Sequence, residues 1–324
     1  MYVCTVLCNK GTNWYNKGVS KLKNDPLISV VMVNYNYDKY IAEAIESVLS
    51  QSYKNIEFIV IDDGSTDNSR SVISKYAKKD KRIKFLKQNN KGVVASRNRG
   101  LKEKHGEFFV FIDADDVIPA TFVENMLKTI IENKADVSCC DLQQFGKLDG
   151  LLKVDTQSVE GLIKFQATPI CQMVRSKVSE DIFFDENLSK FGHEDADFFF
   201  NLFLHGAKFI KSSEIYMYRM HGKGRNPDFT SRTHYKARFY IYNKYKDVDD
   251  KIKYAPIDLI LQKEQETDKW HKIADERLDL IERSNEYIKG LEEKCNTVVD
   301  SLEYKAGRYV TFPVRAIKRI TKRI

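Results

Sequence analysis

Phe108-Phe109-Val110-Phe111-Ile112-Asp113-Ala114-Asp115-Asp116 places three carboxylates at the end of five consecutive apolar residues. The apolar run is short and rich in aromatic and β-branched side chains, which reads as a buried strand. A buried strand has no use for carboxylates in its interior. At its C-terminal end they can meet a ligand, because open α/β sheets bind in the crevice outside their strand ends. Carboxylates this close repel one another unless a cation sits among them. Hard oxygen ligands suit Mg2+ or Mn2+, ions that bridge one or two carboxylates to substrate phosphates. An acidic loop capping the next helix, which Pro119 helps start, is the alternative.

The flanking sequence alternates in the same way. Strand patterns at Ile28–Val33, Ile56–Ile61, Ile83–Leu86, Phe108–Ile112 and Ala135–Asp141 are separated by helical patterns. These fall at Tyr40–Gln51, Ser69–Lys78, Gly92–Lys104 and Thr121–Asn133. Short links between such elements imply an α/β fold, a mostly parallel, Rossmann-like sheet with helices on both faces. Neither a P-loop nor a GxGxxG turn follows the first strand. Beyond residue 150 the alternation fades, leaving Cys171–Arg175, a helix over Glu194–Leu204 and a strand over Ile215–Tyr218.

The 324 residues are 42% hydrophobic and 12% aromatic, enough for one large or two modest domains. No apolar run approaches the roughly 20 residues of a membrane span, and residues 1–26 lack the apolar stretch of a signal peptide. Cys4, Cys8, Cys139, Cys140, Cys171 and Cys295 show no zinc spacing, so reduced cytosolic thiols are expected. On a strand, the adjacent Cys139 and Cys140 would point to opposite faces.

The net charge of +7 equals the seven lysines and arginines of residues 305–324, where no acid occurs. The rest of the chain is formally neutral, which gives no case for nucleic acid. Val310, Val314, Ile317, Ile320 and Ile324 make an apolar stripe in this basic tail, a pattern suited to an anionic membrane surface. In the polar stretch 257–302, Ile288, Leu291, Cys295, Val298 and Leu302 recur at alternating spacings of three and four. That seam fits either homo-oligomerisation or packing of the helix on its own domain.

Four polar elements fall at element ends: Asn34-Tyr35-Asn36, Asp62-Asp63-Gly64-Ser65-Thr66-Asp67, Gly92 to Gly100, and Asp113-Ala114-Asp115-Asp116. In this order, with His193-Glu194-Asp195 and Tyr218-Arg219-Met220-His221 further on, the chain resembles the family-2 glycosyltransferases over about residues 27–225. One departure is Val33-Asn34, where many members carry Pro-Thr or Pro-Ala.

The resemblance implies a GT-A fold and inverting transfer of a sugar from a nucleotide-diphosphate donor, such as a UDP-sugar, to an acceptor hydroxyl. It implies a donor site of Val33, Tyr35, Asp63, Arg97, Asp113, Ala114 and Asp115. Tyr35 would pack on the base, Asp63 would accept from it, and Arg97 would face the diphosphate or hold the acidic motif. Asp113, Asp115, Asp116 and His221 would contact Mn2+ or Mg2+. Asp195 is the expected general base and Glu194 the second choice, although both also suit helix capping. Tyr218–His221 matches the segment that closes over the donor.

The expected organisation is an N-terminal extension (1–26) and a GT-A domain (27–245), its nucleotide half at 27–125 and its acceptor half at 126–245. A long helix (250–304) and the basic tail (305–324) would follow. A saccharide or lipid-linked acceptor at the inner face of the cell membrane would suit that plan. The alternatives are a sugar nucleotidyltransferase, whose glycine-rich loop is missing after the first strand, and a non-catalytic membrane scaffold.

Overall fold

A computed structural model describes residues 25–154, 169–221 and 231–245, together with helical residues 277, 280, 282–294 and 297. The chain divides into two compact units, Met1–Lys253 and Tyr254–Ile324. Cys4, Cys8, the tail 305–324 and the seam residues Cys295, Val298 and Leu302 lie outside the described residues. In the second unit, residues 282–294 are helical, and Ile288 and Leu291 are exposed.

The first unit opens with strict alternation: β1 (Ile28–Asn34), α1 (Ile41–Leu49), β2 (Ile56–Asp63), α2 (Ser69–Lys79), β3 (Ile83–Gln88), α3 (Val93–Glu103), β4 (Phe108–Asp113) and α4 (Phe122–Asn133). Then come β5 (Val137–Gly146), β6 (Gly150–Leu152), β7 (Met173–Arg175), α5 (Glu194–Leu204), β8 (Phe209–Met220) and α6 (Ser231–Tyr245). The sheet runs β3-β2-β1-β4-β7-β5-β6, with β8 also paired to β5. β3, β2, β1 and β4 are mutually parallel, and β7 is antiparallel to both β4 and β5.

Successive strand residues feed two cores. Val30, Met32, Phe58, Val60, Val110 and Ile112 face α1 and α4, whereas Val31, Ile59, Ile61, Phe109 and Phe111 face α3 and α5. Each such side chain, fully buried, contributes about 1.5–3 kcal/mol. Both faces are covered, so the strands need continuous apolar runs rather than alternation with polar residues. Cys139 and Cys140 fall in opposite cores, as their adjacency on a strand predicts.

Pro119 precedes α4, with Phe122 N donating to its carbonyl, and so sets the turn that starts the helix. Two elements differ from the sequence reading. The last strand extends to twelve residues, and the β5–β6 hairpin was not foreseen. Among the described residues no helix is long and apolar enough to cross a membrane.

Candidate active site

The sheet order reverses at β1, with β2 on one side and β4 on the other, which marks the position where such sheets bind ligands. Val33 pairs with Asp113 in register, so the C-terminal ends of β1 and β4 are level. Tyr35, immediately beyond β1, is 43% exposed and able to stack on a planar ligand.

Beneath it Asn34 Nδ2 donates to Asp62 and to Ser65 Oγ, both at 3.0 Å. Asp62 also receives Arg70 Nε at 2.5 Å, so it is a structural anchor. Gly64 adopts φ +83°, and a Cβ there would sit 2.6 Å from Asn90 N; the turn after β2 therefore requires glycine.

Asp63 is buried and held on three sides. Its Oδ1 accepts from Gln88 Nε2 (2.8 Å) and Lys91 N (2.9 Å), and its Oδ2 from Gly92 N (2.9 Å). It thus fixes the loop that enters α3.

Arg97, on the buried face of α3, is only 2% exposed. Its guanidinium reaches Asp113 Oδ1 at 3.2 Å and Glu194 Oε1 at 2.8 Å and lies 5.7 Å from the Phe184 ring centre. One cation thereby joins the end of β4 to the start of α5. Phe184 stacks on Phe198 of α5 at 4.2 Å, and Asn98 bonds both backbone groups of Phe184.

Glu194 is therefore committed to Arg97, which separates it from its neighbour. Asp195 is half-buried, with Oδ1 accepting from Ala196 N at 2.8 Å. Gly192 (φ 75°) and His193 (φ 63°) are both left-handed, and this reversal presents the first turn of α5. Carboxylates there are favoured by the helix N-terminus.

The acidic motif is bonded along its length to β8 and the residue that follows it. Asp113 N donates to Tyr216 Oη at 3.1 Å, and Val117 and Met217 exchange backbone bonds. Arg219 Nε donates to the Asp115 carbonyl and Arg219 N to Asp116 Oδ1, both at 2.7 Å. His221 Nε2 lies 2.7 Å from Asp115 Oδ2, and its ring stacks on Tyr40 at 4.9 Å. Burial, then the charges of Asp115 and Asp113, push the Asp116 carboxyl well above the usual range, while Arg219 N and Tyr216 oppose this.

The expected donor and metal residues divide accordingly. Arg97 pairs with Asp113 and His221 with Asp115 at the ends of β4 and β8. Asp116, 1% exposed, accepts from Arg219 N through Oδ1 and so ties the acidic turn to β8. The Ala114 side chain is buried in the core and Val33 is half-buried. Among the described residues no group of three or more His, Cys, Asp or Glu side chains converges to hold a metal ion. An ion held by Asp115 and His221 would replace their mutual contact and take its remaining ligands from phosphate oxygens and water. Sequence reading missed Gln88, Tyr40, Tyr216 and Arg219. Only Arg219 carried a signal, lying inside the quoted Tyr218–His221 segment.

The chain matches Glycosyl transferase family 2 over residues 29–190, half of its length. It is 38% identical over 125 residues to Glycosyltransferase GlyG of Streptococcus pneumoniae, covering 38% of this chain and 42% of that one. Such matches span from 18% to 50% of the curated relatives' lengths. TarS of S. aureus in complex with UDP-GlcNAc superposes with a TM-score of 0.59 at 23% identity, over 68% of this chain and 67% of that one. Mannosyltransferase PcManGT from Pyrobaculum calidifontis, in complex with GDP-Man and Mn2+, gives 0.50 at 17% identity, over 72% and 74%. The fold is thus GT-A, and the chain belongs to glycosyl transferase family 2.

Proposed function

We propose that this chain transfers a sugar from a nucleoside-diphosphate donor to an acceptor hydroxyl with inversion at the anomeric carbon. The observation that carries this reading is the Arg97 bridge, which sets Asp113 of the acidic motif against the first turn of α5, where Asp195 stands. TarS with UDP-GlcNAc and PcManGT with GDP-Man support the donor class, and the Mn2+ of PcManGT supports use of a divalent ion.

Tyr35 packs on the base, and the loop held by Asp63 borders it. Asp115 and His221 hold Mn2+ or Mg2+, with Asp113 beside them tied to Arg97. The bound ion supplies charge neutralisation for the departing diphosphate. Asp195 takes the proton from the acceptor hydroxyl as it attacks, a role that needs an ionised carboxylate near the reacting centre. Glu194 is neutralised by Arg97 and holds the helix start in place.

The acceptor class we propose is a saccharide or lipid-linked glycan of a bacterial surface polysaccharide. In this reading the protein acts at the inner face of the cell membrane, and residues 305–324 contact anionic lipid.

The test is donor hydrolysis and transfer across a panel of UDP- and GDP-sugars with Mn2+, with the anomeric configuration of the product read by NMR. Asp115→Asn and Asp195→Asn should each abolish transfer while the melting temperature stays near that of the unaltered chain. Full activity in both variants, or retention of configuration, overturns the assignment.

A further inference from the structure

We infer that Arg219 is a positioning residue of the donor site, fixing the main chain of Asp115 and so the carboxylate that meets His221. This rests on the donor-site reading above. Asp115 lies in the turn beyond β4, where Asp116 N bonds Asp113 O at 3.2 Å and the regular strand has ended. Its carbonyl has left the sheet ladder and needs a donor of its own. Arg219 Nε supplies it at 2.7 Å.

The rest of the guanidinium leaves this donor little freedom to move. One terminal nitrogen reaches Glu43 of α1 at 2.6 Å. The guanidinium carbon lies 4.4 Å from the Phe145 ring centre and 5.1 Å from that of Tyr40. The side chain is 15% exposed. Three stretches of chain, α1, the end of β5 and the acidic turn, therefore meet on one planar cation.

His221, two residues later, stacks on Tyr40 at 4.9 Å and meets Asp115 Oδ2. Tyr40 is in contact with both residues of the pair. Displacing Arg219 would release the Asp115 carbonyl and one of the packing partners of Tyr40, against which the His221 ring is set. Lysine cannot replace it, since an ammonium is a point charge and cannot bond along two edges of a planar fork.

The experiment uses the full chain. Mn2+-dependent binding of UDP, and of GDP if UDP does not bind, is measured by calorimetry over a Mn2+ series, with thermal melts alongside. Arg219→Gln and Arg219→Lys should raise half-saturating Mn2+ about 10- to 100-fold, the range found when groups supporting a metal ligand are lost. Glu43→Gln removes only the exposed end of the network and should shift it by no more than about twofold, as an exposed ion pair is worth under about 1 kcal/mol. A residue that merely stabilised the fold would lower the melting temperature and leave half-saturation unchanged. Arg219→Lys binding Mn2+ like the unaltered chain overturns the inference, including where Arg219→Gln does not fold. If the unaltered chain binds neither nucleotide with Mn2+, the donor-site reading itself falls, and the role of Arg219 falls with it.

Discussion

Removing the Arg97 guanidinium tests the link between the two halves of the site. Arg97→Met keeps most of the side chain's volume and deletes the charge. Glu194, 8% exposed, and Asp113, 21% exposed, then lose the cation between them. Breaking a buried pair by removing one partner costs about 3–5 kcal/mol, because the remaining charge is left uncompensated. Glu194→Gln is milder, since Arg97 keeps Asp113; about 2 kcal/mol is expected for one lost charge-assisted bond.

Once Glu194 is neutral, deleting Arg97 costs less, so the double variant should come out about 2 kcal/mol more stable than the sum of the singles. Urea unfolding with unchanged m-values measures all four corners of the cycle. Additivity of the two substitutions would refute the bridge. Turnover adds an independent check: Glu194→Gln should reduce it far less than Asp195→Asn, whose loss as general base is worth about 100- to 10,000-fold. A larger loss for Glu194→Gln than for Asp195→Asn would transfer the base role to Glu194.

Three further outcomes follow from local geometry. A Cβ at Gly100 would sit 2.5 Å from Val31 Cγ1, so Gly100→Ala should destabilise by about 1–3 kcal/mol in thermal melts, with partial rescue by Val31→Ala. Lys244 lies 2.8 Å from both Asp185 and the fully buried Asp197, whose carboxyl burial already pushes above the ordinary range although Lys244 opposes it. In Lys244→Met that carboxyl rises further, and a group raised on folding costs more stability as pH increases. The variant should therefore lose about 3 kcal/mol near pH 7.5 in urea titrations and recover part of it on acidification to pH 5. Asp63→Asn points an amide at three donors; if Asp63 serves mainly the loop, the melting temperature drops and UDP and GDP binding weaken alike. A change of base preference at constant stability would make base reading its main role.

Much of this arrangement could be read from the chain because parallel strands buried on both faces must be continuous apolar runs. Val30–Val33, Phe58–Ile61 and Phe108–Ile112 had that form, and each ended in polar residues. Parallel direction alone put Tyr35 and Asp113 on one side of the sheet; their adjacency comes from the β2-β1-β4 order, which the sequence does not state. β6 and β7, three residues each, carry no period of their own; neighbouring strands define them.

The same limit applied to the carboxylates. Asp115 and Asp116 are adjacent and chemically identical, and Glu194 and Asp195 are nearly so. Their division of labour depends on partners about a hundred positions away: Arg219 for the first pair and Arg97 for the second. Spacing in the sequence can announce that acids gather at a strand end. What separates the neighbouring acids is a main-chain N–H of β8 on the Asp116 carboxylate in one case and the Arg97 cation of α3 on Glu194 in the other, and neither contact is written in the spacing of the acids.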